Sequence, residues 1–409
     1  MKVAVIGGGA AGFFGAIAIK ETNPDAEVYL FEKSDRILSK VKISGGGRCN
    51  VTNATFDVKE LVKYYPRGSR ELISVFTRFG PQDTIDWFES RDVKLKIEPD
   101  NRVFPVSDNS QTVIDCLLKE AEEKNIHIKK NYSIEELIKE ETGFCICFKN
   151  NEKFFCDKIL IAPGGNSKPE AYEWIKKHSH TIIKPVPSLF TFVLSENIFS
   201  GLEGISVPEV EIKLKDEKIP AQRGSILITH GGLSGFGVLK FSAFAARTLS
   251  EKNYKFTLSV NWLPDFNGEH LYNKLLELKK SEPNKILASV SYFRLPMRLW
   301  KRLLELSGIG ADKKFNELSN QRIKNFVNEL TEHKIIINEK NTNKEEFVTA
   351  GGVSLKDINF KTMESKKCPG IYFAGEVLDI DGVTGGFNFQ SAWSTGWIAG
   401  KNIGSILKN

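Results

Sequence analysis

The sequence has no stretch of about 18 consecutive apolar residues, the minimum for a helix that crosses a bilayer, and so contains no candidate membrane span. Its six cysteines are scattered along the chain without a C-x-x-C pair. This spacing excludes the common zinc and redox-dithiol motifs, and we predict no metal site. Thiols without a disulfide framework favour a reducing compartment, so we expect a cytoplasmic protein.

A strong excess of one charge is also absent. The chain has 57 Lys and Arg against 51 Asp and Glu, a formal net charge of +6. This mildly basic balance is compatible with an anionic substrate or RNA, although a lysine-rich surface explains it more simply. The length of 409 residues is sufficient for two or three compact units with ample cores.

Glycine, by contrast, is concentrated in a few places, of which the first follows directly on the apolar run Lys2–Ile6. Gly7, Gly9 and Gly12 have the G-x-G-x-x-G spacing of dinucleotide-binding loops. In such loops the first glycine makes a tight turn, the second lets backbone approach a pyrophosphate, and the third lets helix and strand pack closely. The free N–H groups of the following helix then face the phosphates.

The residues after this loop complete the pattern. A helical stretch extends to about Glu21, and a second apolar strand ends at Glu32, where a carboxylate can accept hydrogen bonds from a ribose. A secretory signal peptide is the alternative, because Ala16-Ile17-Ala18 resembles a cleavage site. The glycine cluster is unusual in a signal peptide, so we favour dinucleotide binding.

A second glycine cluster, Gly45-Gly46-Gly47, is followed by Arg48-Cys49-Asn50. Three consecutive glycines do not form a regular helix or strand, and such a loop lets backbone lie against something flat or anionic. The neighbouring cations Lys40, Lys42 and Arg48 suit phosphate. A flexible surface loop is the alternative.

The glycine-rich α/β texture is interrupted in the middle of the chain. Residues 188–344 show short strands followed by a Lys/Glu/Leu-rich helical region, whereas a strand running into Gly375-Glu376 and then Gly385-Gly386-Phe387-Asn388 resembles the N-terminal part. We therefore predict a discontinuous nucleotide-binding domain, 1–187 and 345–409, with an insert domain at 188–344. No second Rossmann fingerprint is present, so a dedicated nicotinamide domain is not expected.

Together these segments resemble the two-dinucleotide-binding flavoproteins and, more narrowly, the BaiN/RdsA family of FAD-dependent oxidoreductases, also called the aminoacetone oxidase family. The resemblance is carried by residues 44–53, Thr229-His230 with Gly232–Gly235, Ala350–Val353 and Gly370–Asn388. It implies an α/β fold, in which a Rossmann-type FAD-binding domain is interrupted by a mixed β-barrel-like and helical insert.

The resemblance also implies residue roles toward FAD. It places the pyrophosphate at Gly7, Gly9, Ala10, Ala11 and Gly12, and the adenosine ribose at Glu32. It places the isoalloxazine at Gly45, Gly46, Gly47, Arg48 and Asn50, the ribityl or phosphate region at Glu376, and the pyrimidine edge of the flavin at Gly385, Gly386, Phe387 and Asn388. Further cofactor contacts are expected at Lys33, Lys40, Ile134, Ala162, Gly164 and Gly375.

The activities that the resemblance implies are reductions of conjugated C=C bonds, with NAD(P)H as a transient electron donor. The leading substrate is a uridine of large-subunit ribosomal RNA, and small enones of the bile-acid type or the oxidation of small amines such as aminoacetone are alternatives. Reducing such a bond needs a hydride from the flavin on one carbon and a proton on the other. Cys49 is the candidate proton donor, unless it only packs beneath the ring, and His230 is the next, unless it only forms a turn.

An RNA substrate would also need a surface to bind it. The insert contains Tyr292-Phe293-Arg294 and Met297–Arg302, which offer cations and rings to RNA, although an amphipathic helix covering its own core explains them equally well. A flavin-containing RNA-binding assembly factor without turnover is a third hypothesis. The oligomeric state is left open.

Overall fold

The computed structural model describes residues 1–215, 217–341 and 348–405. The chain divides into two compact units, Met1–Val186 with Val348–Asn409 and Pro187–Phe347, which we call the sheet unit and the barrel unit. The predicted domain boundary at 187/188 lies one residue from this division, and the predicted boundary at 344/345 falls outside the described residues.

The strands of both units follow in chain order. They are β1 (Lys2–Ile6), β2 (Glu27–Glu32), β3 (Thr52–Asn53), β4 (Leu95–Ile97), β5 (Arg102–Pro105), β6 (His127–Lys130), β7 (Ile134–Lys139), β8 (Phe144–Phe148), β9 (Lys153–Cys156), β10 (Lys158–Ile161), β11 (Ile182–Ser188), β12 (Phe192–Leu194), β13 (Ser206–Leu214), β14 (Gln222–Thr229), β15 (Gly232–Ser234), β16 (Phe256–Asn261), β17 (His333–Lys340), β18 (Val348–Val353), β19 (Ile358–Asn359), β20 (Glu364–Ser365) and β21 (Ile371–Phe373).

The α-helices lie between these strands and at the end of the chain. They are α1 (Ala10–Thr22), α2 (Ser39–Ile43), α3 (Val58–Leu61), α4 (Ser69–Phe76), α5 (Pro81–Glu89), α6 (Ser110–Glu123), α7 (Glu173–Lys176), α8 (Phe236–Glu251), α9 (Gly268–Ser281), α10 (Met297–Leu306), α11 (Asn320–Thr331) and α12 (Phe387–Ser405). None of these helices is both long and apolar enough to pass through a membrane.

The sheet unit is built on a seven-stranded sheet in the order β19-β20-β21-β10-β1-β2-β6. The strands from β21 to β6 are parallel, and the β19-β20 hairpin extends one edge in antiparallel fashion. In the centre Val5 pairs with Leu160 on one side and Leu30 on the other, and all three are fully buried. Near-continuous apolar strands of this kind are expected where helices cover both faces of a parallel sheet.

Helices α1 and α12 pack against each other through small residues. A Cβ on Gly396 would lie 2.5 Å from the carbonyl oxygen of Ala11, and one on Gly400 would lie 2.4 Å from that of Gly15. Both series of contacts advance in the same direction, so the two helices are parallel. Their closeness depends on glycine, because any side chain at these positions would collide with backbone.

Smaller sheets complete the sheet unit, in the orders β3-β5-β4, β7-β8-β9 and β11-β18. Cys145 and Cys147 both lie on β8, and Cys145 is buried while Cys147 is half-buried. Arg102–Pro105 ends in a proline and still forms a strand, β5, which pairs with both β3 and β4. Cross-strand pairing, which propensity alone does not reveal, decided this segment.

The barrel unit contains a closed barrel in the order β12-β15-β14-β13-β16-β17. Helices α8 to α11 belong to the same unit, and the interior of the unit is filled by large apolar side chains that include Trp262 and Trp300. Trp300 is fully buried, and its Nε1 donates a hydrogen bond to the carbonyl oxygen of Leu287 at 2.9 Å. The hypothesis that Trp300 offers its ring to RNA is therefore wrong, and α10 is an amphipathic helix that covers its own core.

Candidate cofactor site

In the glycine loop between β1 and α1, the structure agrees with the predicted tight turn at Gly7 and close packing at Gly12, and it leaves Gly9 open. Gly7 has φ +112°, and a Cβ there would lie 2.2 Å from the carbonyl oxygen of Ala162. A Cβ on Gly12 would lie 1.9 Å from the carbonyl oxygen of Gly7. A Cβ on Gly9 would meet nothing within 4 Å. Two of the glycines therefore allow close internal packing, while Gly9 faces open space beside Ala10, the first residue of α1.

The N-terminus of α1 is available to an anion. Its N-cap residue, Gly9, makes no side-chain capping hydrogen bond, and the first turn of the helix contains no acidic residue. The first intrahelical bond runs from the N–H of Phe13 to the carbonyl oxygen of Gly9 at 3.0 Å. The preceding helical N–H groups, including those of Ala10 and Ala11, have no acceptor within the helix. A phosphate group is the usual acceptor at such a helix end.

Glu32 lies at the carboxyl end of β2, beside this loop. Its carboxylate accepts hydrogen bonds from the N–H of Gly8 at 3.0 Å and from both the N–H and the hydroxyl of Ser34 at 3.0 Å. These bonds fix the carboxylate next to the glycine loop. Lys33 is exposed, and Ile134, which begins β7, is half-buried.

The second glycine cluster forms a 3₁₀ turn, Ser44–Gly47, with left-handed backbone at Gly45, Gly46 and Gly47. A Cβ on Gly46 or Gly47 would meet nothing within 4 Å, whereas one on Gly45 would lie 2.9 Å from the Phe104 ring. The prediction of an irregular loop is confirmed in this geometry, and the two later glycines present bare backbone to open space.

Arg48 is held by groups of the protein itself. Its Nη1 lies 2.7 Å from a Glu98 carboxylate oxygen and 3.6 Å from one of Asp108, and its guanidinium stacks 3.9 Å above the Phe104 ring. The pKa of Arg48 is raised, chiefly by the hydrogen bond with Glu98. Since two carboxylates already compensate this cation, its predicted contact with the cofactor stays a prediction.

Cys49 is fully buried and has left-handed backbone with φ +63°. Burial raises the pKa of its thiol to about 12, although a hydrogen bond with Ser44 opposes the rise. A thiol with such a pKa remains protonated at neutral pH. It is a weak acid without access to solvent, which favours the packing role over that of a proton donor.

Three asparagines hold the loop that enters α12, and two of them come from the residues after this glycine cluster. In the orientation that satisfies its amide, Asn50 accepts a hydrogen bond from the N–H of Gly386 at 2.9 Å. Asn53 donates to the carbonyl oxygen of Gly385 at 3.0 Å. Asn388 both accepts from the N–H and donates to the carbonyl oxygen of Gly382, each at 2.8 Å. The loop that enters α12 is thereby fixed from both sides.

The predicted backbone donors at the start of α12 are the N–H groups of Gly386, Phe387 and Asn388. The N–H of Gly386 already donates to Asn50. The first intrahelical bond of α12 runs from Gln390 N–H to Gly386 carbonyl oxygen at 3.0 Å. The N–H groups of Phe387 and Asn388 therefore have no acceptor within the helix.

The remaining predicted residues meet where β10 and β21 end. Lys40 forms an ion pair with Glu376 at 2.7 Å, and the other oxygen of Glu376 accepts the N–H of Thr349 at 2.8 Å. Gly164 has φ +78° and faces open space, while Gly375 packs against Ala11. Residues that are 336 positions apart in sequence are thus brought together in the sheet unit.

Two structural features of this region were not predicted from the sequence. Arg67 forms a buried two-pronged ion pair with Asp381, just before the loop into α12, in which the Nε–Oδ1 distance is 2.5 Å. Tyr65 donates its hydroxyl to the carbonyl oxygen of Phe387 at 2.7 Å. Asp381 lies in a glycine-rich stretch that the sequence did mark, but nothing in the sequence marks Arg67 or Tyr65 as their partners.

His230 belongs to the barrel unit, in the two-residue turn His230-Gly231 between β14 and β15. It is exposed, and Gly231 supplies the left-handed backbone of the turn with φ +76°. The pKa of the Glu203 carboxyl is lowered, chiefly by backbone hydrogen bonds and to a smaller extent by the neighbouring His230 and Arg298. This position agrees with the turn role, and the proton-donor role of His230 stays a prediction.

The sheet unit fits FAD on two independent observations. The open backbone at Gly9, beside an uncapped helix N-terminus, matches a pyrophosphate, and Glu32 is fixed where a ribose would follow. A parallel sheet with this loop, joined by a second glycine-rich strand-to-helix connection, defines the class of Rossmann-type FAD-binding flavoproteins.

Comparison with known proteins places the chain within this class. The profile of the HI0933-like protein Rossmann domain matches residues 1–402, and the chain belongs to that family. It is 29% identical to the ribosomal RNA dihydrouridine synthase of Escherichia coli (strain K12) over 408 residues, 98% of this chain and 97% of the relative. It is 28% identical to the 3-dehydro-bile acid delta(4,6)-reductase of Clostridium scindens over 407 residues, 98% of each.

Both relatives fall within the BaiN/RdsA family that the sequence indicated, so the predicted membership is confirmed. The fold is shared with the 3-ketosteroid delta1-dehydrogenase from Sterolibacterium denitrificans at a TM-score of 0.52 and 12% identity, covering 98% of this chain and 99% of that one. The chain is an FAD-dependent oxidoreductase, and the predicted Rossmann domain with a barrel-containing insert is confirmed.

Proposed function

We propose that this oxidoreductase reduces a conjugated C=C bond with electrons from NAD(P)H, and that its substrate is a uridine of large-subunit ribosomal RNA, which becomes dihydrouridine. The observation that carries the proposal is the full-length similarity to a ribosomal RNA dihydrouridine synthase, together with the shape of the glycine-lined site. We place the reaction in the cytoplasm, where the free thiols of the chain are expected.

Two parallel helix ends support the proposed position of FAD. Gly396 of α12 lies beside Ala11 of α1, so α12 extends eight residues further toward its N-terminus than α1 does. At 1.5 Å per residue, the two N-termini are staggered by about 12 Å along the helix axes. We assign the pyrophosphate to the N-terminus of α1 and the pyrimidine edge of the flavin to that of α12, with the ribityl chain spanning the stagger.

The other residues have distinct proposed tasks. Glu32 binds the adenosine ribose, and Gly46 and Gly47 offer bare backbone to the ring system. The N–H groups of Phe387 and Asn388 stabilise negative charge at the pyrimidine edge, because donors fixed before the reaction need no reorganisation. When bound, FAD supplies the two-electron redox chemistry, and the protein supplies binding, orientation and electrostatics.

The test uses the purified FAD-loaded enzyme without oxygen, with NADH or NADPH and total ribosomal RNA from cells that lack the gene. We expect dihydrouridine to appear in large-subunit RNA, measured by mass spectrometry of nuclease digests. If neither nicotinamide bleaches the flavin, the donor assignment is wrong, and dithionite can replace it so that the RNA substrate is still tested. No dihydrouridine under either donor contradicts the proposed substrate.

A small-molecule enone reductase is the second candidate, favoured by the nearly equal similarity to the bile acid reductase. The same assay with a steroid dienone as substrate separates the two. Turnover of the dienone with no dihydrouridine in RNA would transfer the proposal to this second function.

The role of Cys49 is tested in the same assay. Because its thiol is buried with a pKa raised to about 12, we expect Cys49→Ala to retain FAD and most dihydrouridine formation. A loss of turnover with unchanged FAD content and thermal stability would instead support Cys49 as the proton donor.

A further inference from the structure

A concave patch of lysines lies on the outside of the barrel, within the barrel unit. It has a volume of about 560 Å³ and includes five lysines, and among its described lining residues the only acid is Glu332. We call it the lysine groove, and its cations are Lys213, Lys215, Lys252, Lys255 and Lys334.

Strand register explains why the lysines gather there. Lys213 of β13 pairs with Ser259 of β16, which pairs in turn with Lys334 of β17, so these three residues form one row across three antiparallel strands. Thr257 lies two residues before Ser259 on β16 and shares its face, and Lys215, in the turn directly after β13, also lines the groove. With strands about 4.8 Å apart, the Cα atoms of Lys213 and Lys334 are about 10 Å apart, and those of Lys213 and Lys215 are about 7 Å apart.

Two hydroxyl groups line the groove beside the cations, together with the buried side chains of Leu214 and Phe256. Ser259 is buried with 5% exposure, and Thr257 is exposed beside it. The groove therefore has hydroxyl groups between the lysines and ammonium groups around them. Every one of these groups can donate to a phosphate oxygen.

The cations of the groove are only partly compensated by the protein. Lys213 lies 3.6 Å from Glu332 and Lys252 lies 2.8 Å from Glu217. For Lys215, Lys255 and Lys334, the described residues supply no acidic side chain within 4 Å. Like charges gathered in a concave surface raise the local concentration of anions, and this potential favours a polyanionic ligand.

We propose that the lysine groove binds the phosphate backbone of the RNA substrate, an inference that rests on the proposed function. The cations are distributed over about 7 by 10 Å rather than converging on one point, which fits successive phosphates better than a single small anion. Lysine acts as a point charge for phosphate and reads no sequence. Such contacts fix the register of the RNA, while the base to be reduced is selected elsewhere.

The experiment measures how binding of a large-subunit RNA fragment to the FAD-loaded enzyme depends on salt. The groove variant combines Lys215→Gln, Lys255→Gln and Lys334→Gln, three lysines without an ion pair to a described acid. The control combines Lys274→Gln, Lys280→Gln and Lys324→Gln, exposed lysines of α9 and α11 that do not line the groove. Both variants lower the net charge by the same amount, and both should keep the FAD content and melting temperature of the wild type.

The slope of log K against log salt is negative for RNA binding, and we expect it to become shallower by about 2 in the groove variant. Each lost phosphate contact with single-stranded RNA reduces the steepness of this slope by about 0.7. The control should keep most of the wild-type slope. Equal slopes in the two variants would overturn the proposal. Polyglutamate serves as a probe for an acidic protein partner. If the groove variant kept its RNA binding but lost binding of polyglutamate, the proposal would also be overturned, in favour of such a partner.

Dihydrouridine formation, measured in parallel, separates the two levels of inference. If the wild type forms dihydrouridine and the groove variant binds RNA unchanged, the groove assignment is wrong and the proposed function stands. If the wild type forms no dihydrouridine but the salt dependence of RNA binding is weaker in the groove variant, the substrate assignment is wrong while the groove still binds RNA.

Discussion

The contact between α1 and α12 in the sheet unit and the interior of the barrel unit are packed by different kinds of atoms. In the sheet unit, α1, α12 and the strand ends meet backbone to backbone, and a Cβ on Gly12 or Gly400 would lie within 2.5 Å of a carbonyl oxygen. In the barrel unit the interior is filled by large side chains such as Trp262 and Trp300.

The difference follows from the task of each unit. Where backbone packs directly on backbone, as at Gly12 and Gly400, any side chain would be in the way, so glycine is required at each such position. A barrel with amphipathic helices needs volume to fill its interior, so the size of its buried side chains matters most. We therefore expect the two units to respond in opposite ways to a loss and a gain of side-chain volume.

The largest effect is expected from removing a large side chain in the barrel unit. Trp300→Ala would leave a cavity and an unpaired carbonyl oxygen at Leu287, at a cost of about 3–5 kcal/mol in the free energy of unfolding. Urea unfolding followed by circular dichroism measures it. The exposed neighbour Lys301→Ala is the control and should change stability by less than about 0.5 kcal/mol. Equal effects of the two variants would contradict the buried position of Trp300.

The next effect comes from adding the smallest side chain. Gly12→Ala would place a Cβ 1.9 Å from the carbonyl oxygen of Gly7, and we expect a loss of about 3 kcal/mol and of most bound FAD. Gly268→Ala at the start of α9 is the matched control, because its nearest contact would be an ordinary 3.7 Å. That variant should be neutral or slightly stabilising. Flavin absorbance per protein and the melting temperature report both outcomes, and full FAD content in Gly12→Ala would refute the steric argument.

A smaller effect is expected from His333 of the barrel unit, whose contribution to the free energy of unfolding depends on pH. Burial lowers the pKa of His333 to about 4, and its Nδ1 accepts a hydrogen bond from Trp262 Nε1 at 3.1 Å. The neutral ring is thus the folded form, and Glu329, 3.6 Å away, has a pKa raised by its own burial. The unfolded chain binds a proton near pH 6.5, so this contribution to stability is complete above that pH and is lost as the pH falls toward 4.

Between about pH 7.5 and about pH 5, His333 should account for about 2 kcal/mol of the loss in unfolding free energy. The measurement is urea unfolding at both pH values for the wild type and for His333→Gln. The variant should lose less stability on acidification than the wild type. An identical loss in both would show that His333 does not titrate as its burial requires.

Local sequence determined the parts of this protein that depend on short spacings. The glycine spacing and Glu32 predicted the nucleotide loop, because backbone sterics act between near neighbours in a β-α-β unit. The change in texture near residue 188 predicted a separate insert, since alternation and periodicity report local burial. The family resemblance supplied FAD, which the family profile bears out.

Only the tertiary structure decided which distant residues meet. The Arg67–Asp381 ion pair, the Asn53–Gly385 hydrogen bond and the Lys40–Glu376 pair all join segments more than 300 positions apart. The sequence left Trp300 open between an RNA-facing surface and the core beneath an amphipathic helix, and packing put it in the core. The lysine groove arises from strand register across β13, β16 and β17, and a single sequence does not show which strands pair or in which register.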